Sequence, residues 1–337
     1  MTTITVFGGG SWGTALAHHL ASEGRDVLLW CRSAEQARSI TLTGRNPRYL
    51  KNVTLDRSLL STAHLADAAE FSSYWISAVP AQAFRPMLER LAPFFREGTR
   101  LCNVAKGIEI ASGRRLSQVM AEILPGQPYS IFSGPSHAEE VVAGQPAALV
   151  VASDREETAL EWQGKTMTKS LRVYTSTDIV GVEIGGAVKN VIAIAAGIAR
   201  AMGLGDNAAA ALVTRGLAEI MRLGSRLGAN PLTLAGLTGA GDLMVTCFSG
   251  LSRNYRLGWE IGKGKTLDEA SASLGEVAEG AFTVRALVEH AEELQVEIPL
   301  CRAVYGALYE KASPRELMEA LLLRSPKPEI PSLFWKT

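Results

Sequence analysis

Six residues near the amino terminus constrain this chain more than any other stretch. Gly8-Gly9-Gly10-Ser11-Trp12-Gly13 follows an apolar segment at 4–7 and leads directly into a helical pattern at 14–20. The G-x-G-x-x-G spacing is weak alone, but between a strand and a helix each glycine has a task. Gly8 permits the tight turn, Gly10 lets backbone approach a diphosphate, and Gly13 allows helix to pack on strand. The diphosphate would meet free N–H groups and the positive end of the helix dipole, with Ser11 and Trp12 in the first turn. The alternative is a purely structural glycine turn.

The rest of the first half fits such a loop. Short strand candidates lie at 4–7, 27–30, 75–79, 101–104, 130–133, 148–152 and 171–174. They are β-branched or aromatic and mostly bounded by Gly, Pro or Ser. Helical stretches such as 12–23 and 34–41 separate them, and Ser33 with Gln36 forms a capping-box signature. Alternating strands and helices imply a mostly parallel, doubly wound sheet of the Rossmann type. After about residue 177 the strand signal fades. Residues 182–202, 208–227, 255–262, 283–294 and 301–309 read as helices, and the Gly-rich stretch 237–250 as a loop. The expected plan is an α/β dinucleotide-binding domain over 1–178 and an all-α substrate domain over 179–337. A chain of 337 residues exceeds what one core usually organises, in keeping with that division.

Composition narrows the partners. Lys plus Arg number 34 and Asp plus Glu 34, so no basic excess exists for a nucleic-acid surface. The longest strongly apolar run, 191–199, is about half of the ~20 residues a membrane-spanning helix needs. Neither a signal peptide nor membrane insertion is expected, and the cytoplasm is the expected location. Cys31, Cys102, Cys247 and Cys301 are scattered, as reduced thiols would be. His18, His19, His64, His137 and His290 show no ligand spacing, so no metal is expected. Small phosphorylated ligands remain, since they need only a few local cations.

The second strand bears on the dinucleotide. NAD-type sites place an acid about 20 residues past the glycines, on the ribose 2′-hydroxyl. Here the strand ends in Cys31-Arg32-Ser33. Arg32 is either a partner for a 2′-phosphate, favouring NADP(H) over NAD(H), or a solvated surface arginine.

Several blocks together resemble the NAD(P)-dependent glycerol-3-phosphate dehydrogenase family in its bacterial-type form. They are 8–17 (GGGSWGTALA), 103–110 (NVAKGIEI), 133–141 (SGPSHAEEV), 181–198 (GVEIGGAVKNVIAIAAGI), 205–224 and 236–256 (GLTGAGDLMVTCFSGLSRNYR). The resemblance covers nearly the whole chain. It implies reversible reduction of dihydroxyacetone phosphate to sn-glycerol 3-phosphate with NADPH or NADH, feeding glycerophospholipid synthesis, in a homodimer. The competing reading is another Rossmann-plus-helical NAD(P)-dependent hydroxyacid or hydroxyacyl dehydrogenase, which would lack the Ser252-Arg253-Asn254 phosphate site.

Hydride transfer to a ketone builds negative charge on oxygen, so a proton donor and positive charge must stand beside it. Lys189 is the leading candidate. At about 100° per residue, Val182, Gly185, Gly186, Ala193 and Ala196 share its helix face within about 60°. A lysine on so small and apolar a face is either snorkelling or a deliberately desolvated cation with a lowered pKa. The resemblance implies that Lys189 is the proton donor and acceptor and touches substrate. Lys106, at the carboxyl end of the strand at 101–104, is a loop lysine or a ligand contact; the resemblance makes it a contact to substrate and nicotinamide. Ser136 with Glu139 reads as a capping box behind Gly134. By resemblance Gly134 and Ser136 touch substrate and Ala138 the cofactor. Ser252 reads as the cap of a helix flanked by Arg253 and Arg256, which is either an ordinary capped helix or a ready phosphate cradle. The resemblance adds Ser252, Arg253 and Asn254 as substrate contacts, with Arg253 also reaching the cofactor. Asp242 is an Asx-turn residue or an acceptor for a substrate hydroxyl or Lys189, and by resemblance a substrate contact. Val277 and Glu279 are placed near the nicotinamide by resemblance alone. Ala199-Arg200-Ala201, Ala209 and Tyr255 depart from the family pattern without removing a proposed catalytic group.

Overall fold

A computed structural model describes residues 2–275, 278–326 and 328–329. Its centre is an eight-stranded sheet: β1 (Thr3–Phe7), β2 (Asp26–Trp30), β3 (Leu60–Thr62), β4 (Tyr74–Ser77), β5 (Arg100–Asn103), β6 (Tyr129–Ser133), β7 (Ala147–Ser153) and β8 (Leu171–Ser176). The order is β3-β2-β1-β4-β5-β6-β7-β8, and every neighbouring pair is parallel except β6 with β7. All seven strands expected from the sequence are present. The eighth, β3, has three residues at a sheet edge, too few to show a period of two.

Side chains alternate across the sheet. Ile4, Val6, Leu29, Ile76 and Cys102 fill one face, and Phe7, Trp30, Trp75 and Leu101 fill the other. Burial on both faces is why these strands read as nearly continuous apolar runs. Strand order reverses between β1 and β4, and Phe7 stands in register with both Trp30 and Ser77. The chain leaving β1 therefore enters the crevice at the switch point, where α/β sheets bind ligands.

The carboxyl-terminal half is helical, as expected. The helix Ile179–Ala201 forms its axis, with every residue from Gly181 to Ala199 buried. By length and composition it could cross a membrane, yet its surface is covered by other helices and by the sheet. Such all-round burial, not an amphipathic stripe, accounts for its uniformly small and apolar sequence. Its start is tied to β6 and to the segment 115–117 through buried Glu183. That carboxylate accepts from Arg115 Nη1 (2.6 Å), Ser117 N (2.8 Å), Ser117 Oγ (2.6 Å) and the Tyr129 hydroxyl (3.2 Å).

The Gly-rich stretch is not a loop. Leu237–Gly241 forms a π-helical turn and Asp242–Phe248 an α-helix. The stretch packs on the axis helix: a Cβ on Gly185 would lie 2.9 Å from the Thr238 carbonyl oxygen, and Thr238 Oγ1 donates to the Val182 carbonyl at 3.2 Å. Low helix propensity was overridden by tertiary contact. The helix Arg253–Gly262 lies equally close to the axis. Added Cβ atoms on Gly197 and Gly258 would stand 2.1 Å from the Tyr255 carbonyl oxygen and 2.0 Å from that of Ile194. The departure at Ala199-Arg200-Ala201 leaves the axis helical to Ala201, with Gly203 at φ +80° making the turn after it.

Candidate active site

The helix α1 (Ser11–Ser22) begins at Gly10, with no side-chain cap on its first amides. Gly8 takes φ +125°, and a Cβ there would meet the Ala78 carbonyl oxygen at 2.6 Å. A Cβ on Gly13 would lie 2.0 Å from the Gly8 carbonyl oxygen. Gly10 differs, because a Cβ there would meet nothing within 4 Å. Gly8 and Gly13 are thus required by the fold, whereas Gly10 keeps open space before a row of helix-end amides. That donor set and clearance fit a dinucleotide diphosphate. Arg32, just past β2, is exposed.

Ser33 caps the helix α2 (Ala34–Thr43), accepting from Gln36 N at 3.3 Å, but the box is only half made. The Gln36 side chain turns away, and its Nε2 donates to the Gly9 carbonyl at 2.5 Å. The box expected at Ser136 is absent. His137 is the N-cap of Ala138–Val142, and Ser136 Oγ donates instead to the Gly134 carbonyl at 3.0 Å. That bond spans two residues and tightens the loop after β6, where Gly134 stands at φ +140°.

Beyond β5 and β6 lies the main cluster. Lys189 is 5% exposed and Asp242 1%. The Lys189 ammonium donates to Asp242 Oδ1 and, at 2.7 Å, to Thr246 Oγ1. Lys106 Nζ donates to the other carboxylate oxygen, Oδ2, at 2.7 Å and to the Gly134 carbonyl at 3.1 Å. One carboxylate on the first turn of Asp242–Phe248 thus holds two ammonium groups from opposite halves of the chain. Space for Lys106 comes from the axis helix, where a Cβ on Gly186 would lie 2.9 Å from Ser133 Oγ and 3.4 Å from Lys106 Cγ.

Electrostatics follow from burial. Desolvation lowers the pKa of Lys189 from 10.5 to about 7; Asp242 opposes that shift and the Lys106 charge adds to it. For Asp242, burial pushes upward, but the two lysines outweigh it and keep the carboxyl below its ordinary value. The cluster is an ionised carboxylate beside a lysine that titrates near neutrality.

The remaining candidates line up along the same helices. Ser252 caps Arg253–Gly262, accepting from Tyr255 N at 3.2 Å, as its position in the sequence predicts. Asn254 Nδ2 donates to Asn190 Oδ1 at 3.0 Å, and its own Oδ1 accepts from Gly280 N at 2.9 Å. Arg253 is exposed, and its charge acts on Glu279. Arg256 lines a surface cavity with Tyr255, Trp259 and Lys265. Glu279 Oε1 accepts from Ala81 N at 3.3 Å, and Oε2 is buried without a hydrogen-bond partner among the described residues. Burial raises its pKa, more than the Ala81 amide and Arg253 lower it. A Cβ on Gly107 would meet that same Oε2 at 3.4 Å, so Lys106 and Glu279 belong to one wall. Ala138 is buried at the start of its helix. Val277 lies outside the described residues.

Sequence reasoning passed over Thr246, Asn190 and Asn46. Thr246 stands four residues after Asp242, a spacing that becomes visible only once the stretch is known to be helical.

A glycine loop at a sheet switch point, together with a lysine–carboxylate–lysine cluster beyond β5 and β6, defines a nicotinamide-dependent oxidoreductase. Comparison with known proteins refines that class. The family model for the NAD-dependent glycerol-3-phosphate dehydrogenase N-terminus matches residues 3–159, and that for the C-terminus matches 178–319. A glycerol-3-phosphate dehydrogenase [NAD(P)+] of Salinibacter ruber is 50% identical over 332 residues, covering 97% of this chain and 96% of the relative. One from Prosthecochloris aestuarii is 47% identical over 330 residues, covering 97% and 99%. The crystal structure of glycerol-3-phosphate dehydrogenase from Coxiella burnetii superposes with a TM-score of 0.92 at 36% identity, covering 96% of this chain and 99% of that one. The chain belongs to the NAD(P)-dependent glycerol-3-phosphate dehydrogenase family.

Proposed function

We propose that this protein interconverts dihydroxyacetone phosphate and sn-glycerol 3-phosphate, and that Lys189 is its general acid and base. The observation that carries the reading is the pair of ammonium groups on Asp242, one buried with a pKa near neutrality. When bound at the glycine loop, the dinucleotide supplies or accepts the hydride. The chain's own groups do the rest. Lys189 spends two N–H bonds on Asp242 and Thr246, which leaves its third for the substrate oxygen. Held there, the Nζ proton passes to that oxygen as charge develops on it, and returns in the reverse direction. Asp242 stays ionised and keeps both lysines aimed. Lys106 adds positive charge beside the same oxygen and borders the nicotinamide wall with Ala138 and Glu279.

Gly134, Ser136, Ser252, Arg253 and Asn254 would hold the substrate and its phosphate. The amino end of Arg253–Gly262 supplies the favourable dipole, and the Asn254 bonds to Asn190 and Gly280 fix its place. Gly8, Gly10, Ser11, Trp12 and Gly13 would hold the diphosphate, with Arg32 on a 2′-phosphate and Val277 completing the cofactor site. On this reading residues 1–178 bind the dinucleotide and 179–337 carry the lysine and the phosphate cradle. A cytoplasmic homodimer supplying glycerophospholipid synthesis follows from the same assignment. Initial rates with dihydroxyacetone phosphate and either NADPH or NADH test it. Turnover is expected with both, faster at low NADPH; no turnover with either rejects the proposal.

A further inference from the structure

The carbonyl of Gly9 receives two side-chain amides. Gln36 Nε2 lies 2.5 Å from it and Asn46 Nδ2 3.1 Å. Asn46 is 1% exposed and held on every side. Its Nδ2 also donates to Thr14 Oγ1 at 2.9 Å, and its Oδ1 accepts from the backbone amides of Arg48 and Tyr49, both at 3.1 Å. Gln36 Nε2 reaches the same Oδ1 at 3.2 Å. One donor satisfies a buried carbonyl; two, brought from α2 and from the segment after it, fix its direction as well.

That direction matters because a trans peptide sets its N–H opposite its C=O. With the Gly9 oxygen drawn inward to Gln36 and Asn46, the Gly10 N–H faces the opposite way, and a Cβ on Gly10 would meet nothing within 4 Å. The next carbonyl, that of Gly10, accepts from Thr14 N at 2.9 Å, so the Ser11 N–H turns outward as well. A Gly-Gly peptide has no side chain to prefer either orientation and would otherwise rotate freely. Gly9 itself must lack a side chain, since a Cβ would stand 2.6 Å from Cys31 Sγ and 2.9 Å from Gln36 Nε2.

We infer that Gln36 and Asn46 are positioning residues for the dinucleotide diphosphate, clamping the Gly9–Gly10 peptide with its donor facing the ligand. Binding then meets a preformed anion nest, without the cost of ordering two glycines. The inference rests on the glycine loop being the dinucleotide site.

The test is a double-mutant cycle on the full chain with Gln36→Met, Asn46→Ala and both together. NADPH and NADH dissociation constants are read by calorimetry, thermal unfolding without cofactor, and KM for dihydroxyacetone phosphate at saturating cofactor. Losing one donor of about 1 kcal/mol is expected to raise the NADPH constant about fivefold in Gln36→Met, with unfolding temperature unchanged. The double variant is expected to lose more than the product of the singles, because only there is the carbonyl left bare. KM for dihydroxyacetone phosphate is expected to stay within about twofold. Wild-type cofactor affinity in Gln36→Met, or equal loss of cofactor and substrate affinity, overturns the inference. Should Asn46→Ala not fold, Gln36→Met, on a half-exposed helix position, decides alone. If the wild type binds neither NADPH nor NADH, the failure lies with the dinucleotide site itself.

Discussion

The Lys106 ammonium lies 2.7 Å from Oδ2 of Asp242, a carboxylate 136 positions further along the chain. Lys106 follows a strand of the sheet, and Asp242 begins a helix packed on the axis of the other half. The other oxygen of that carboxylate holds Lys189, so one carboxylate joins lysines from the two halves of the chain. Two like charges that close are tolerable only with the shared anion between them.

On the proposed assignment, replacing Lys189 by Met removes the proton donor and leaves the dinucleotide cradle intact. We expect kcat to fall by about 10²–10⁴, the range of general acid catalysis, with the NADPH dissociation constant unchanged by calorimetry. A variant retaining most of its kcat would refute the assignment.

The pH dependence has a definite sign. Reduction needs Lys189 charged, and its pKa is about 7, so kcat/KM for the ketone should fall tenfold per pH unit above about 7. The oxidative direction needs it neutral and should rise to a plateau over the same range. Stability runs the same way as oxidation: the unfolded chain binds the proton up to 10.5 and the folded chain only to about 7, so this group's contribution improves as pH rises between those values. Parallel profiles for the two directions would contradict the role.

Asp242→Asn takes away the anion that both lysines share. The attraction that raises the Lys189 pKa disappears while the Lys106 repulsion stays, so the fall in reductive kcat/KM should begin at lower pH. Removing the anion shared by buried Lys189 and half-buried Lys106 should also lower stability, measurable by urea unfolding. An unchanged profile in a folded variant would remove Asp242 from the mechanism.

Two glycines should separate cleanly. In Gly10→Ala the new methyl meets open space within the protein, so unfolding should be unaffected while the NADPH constant rises about tenfold or more. In Gly197→Ala the methyl would stand 2.1 Å from the Tyr255 carbonyl oxygen. That variant should lose about 1–3 kcal/mol of stability and raise KM for dihydroxyacetone phosphate by displacing Arg253 and Asn254. Equal behaviour of the two by thermal unfolding would disprove the distinction.

Arg32→Ala tests the choice of dinucleotide. A charge-assisted bond to a 2′-phosphate is worth about 1.5–3 kcal/mol, so KM for NADPH should rise about 10- to 100-fold and KM for NADH hardly at all. Equal losses for both cofactors would assign Arg32 to the solvated surface.

What the sequence determined by itself was local in origin. The glycine loop, seven of eight strands and the Ser252 cap rest on neighbours within a few residues, so spacing and residue type reveal them. Lys189 stood out because a charge among small apolar residues is anomalous at any distance. Tertiary structure decided the rest, for a common reason. Whether a glycine-rich stretch stays a loop depends on what lies opposite it, and so 237–248, within the stretch read as a loop, is helical against the axis at Gly185. A capping pair depends on competing partners, and Gln36 preferred the Gly9 carbonyl to its own helix end. The pKa of Lys189 depends on Asp242 and Lys106, 53 and 83 positions away, as 242 − 189 and 189 − 106. Burial, opposing charge and steric clearance act through space, and only the folded chain brings those residues within reach of one another.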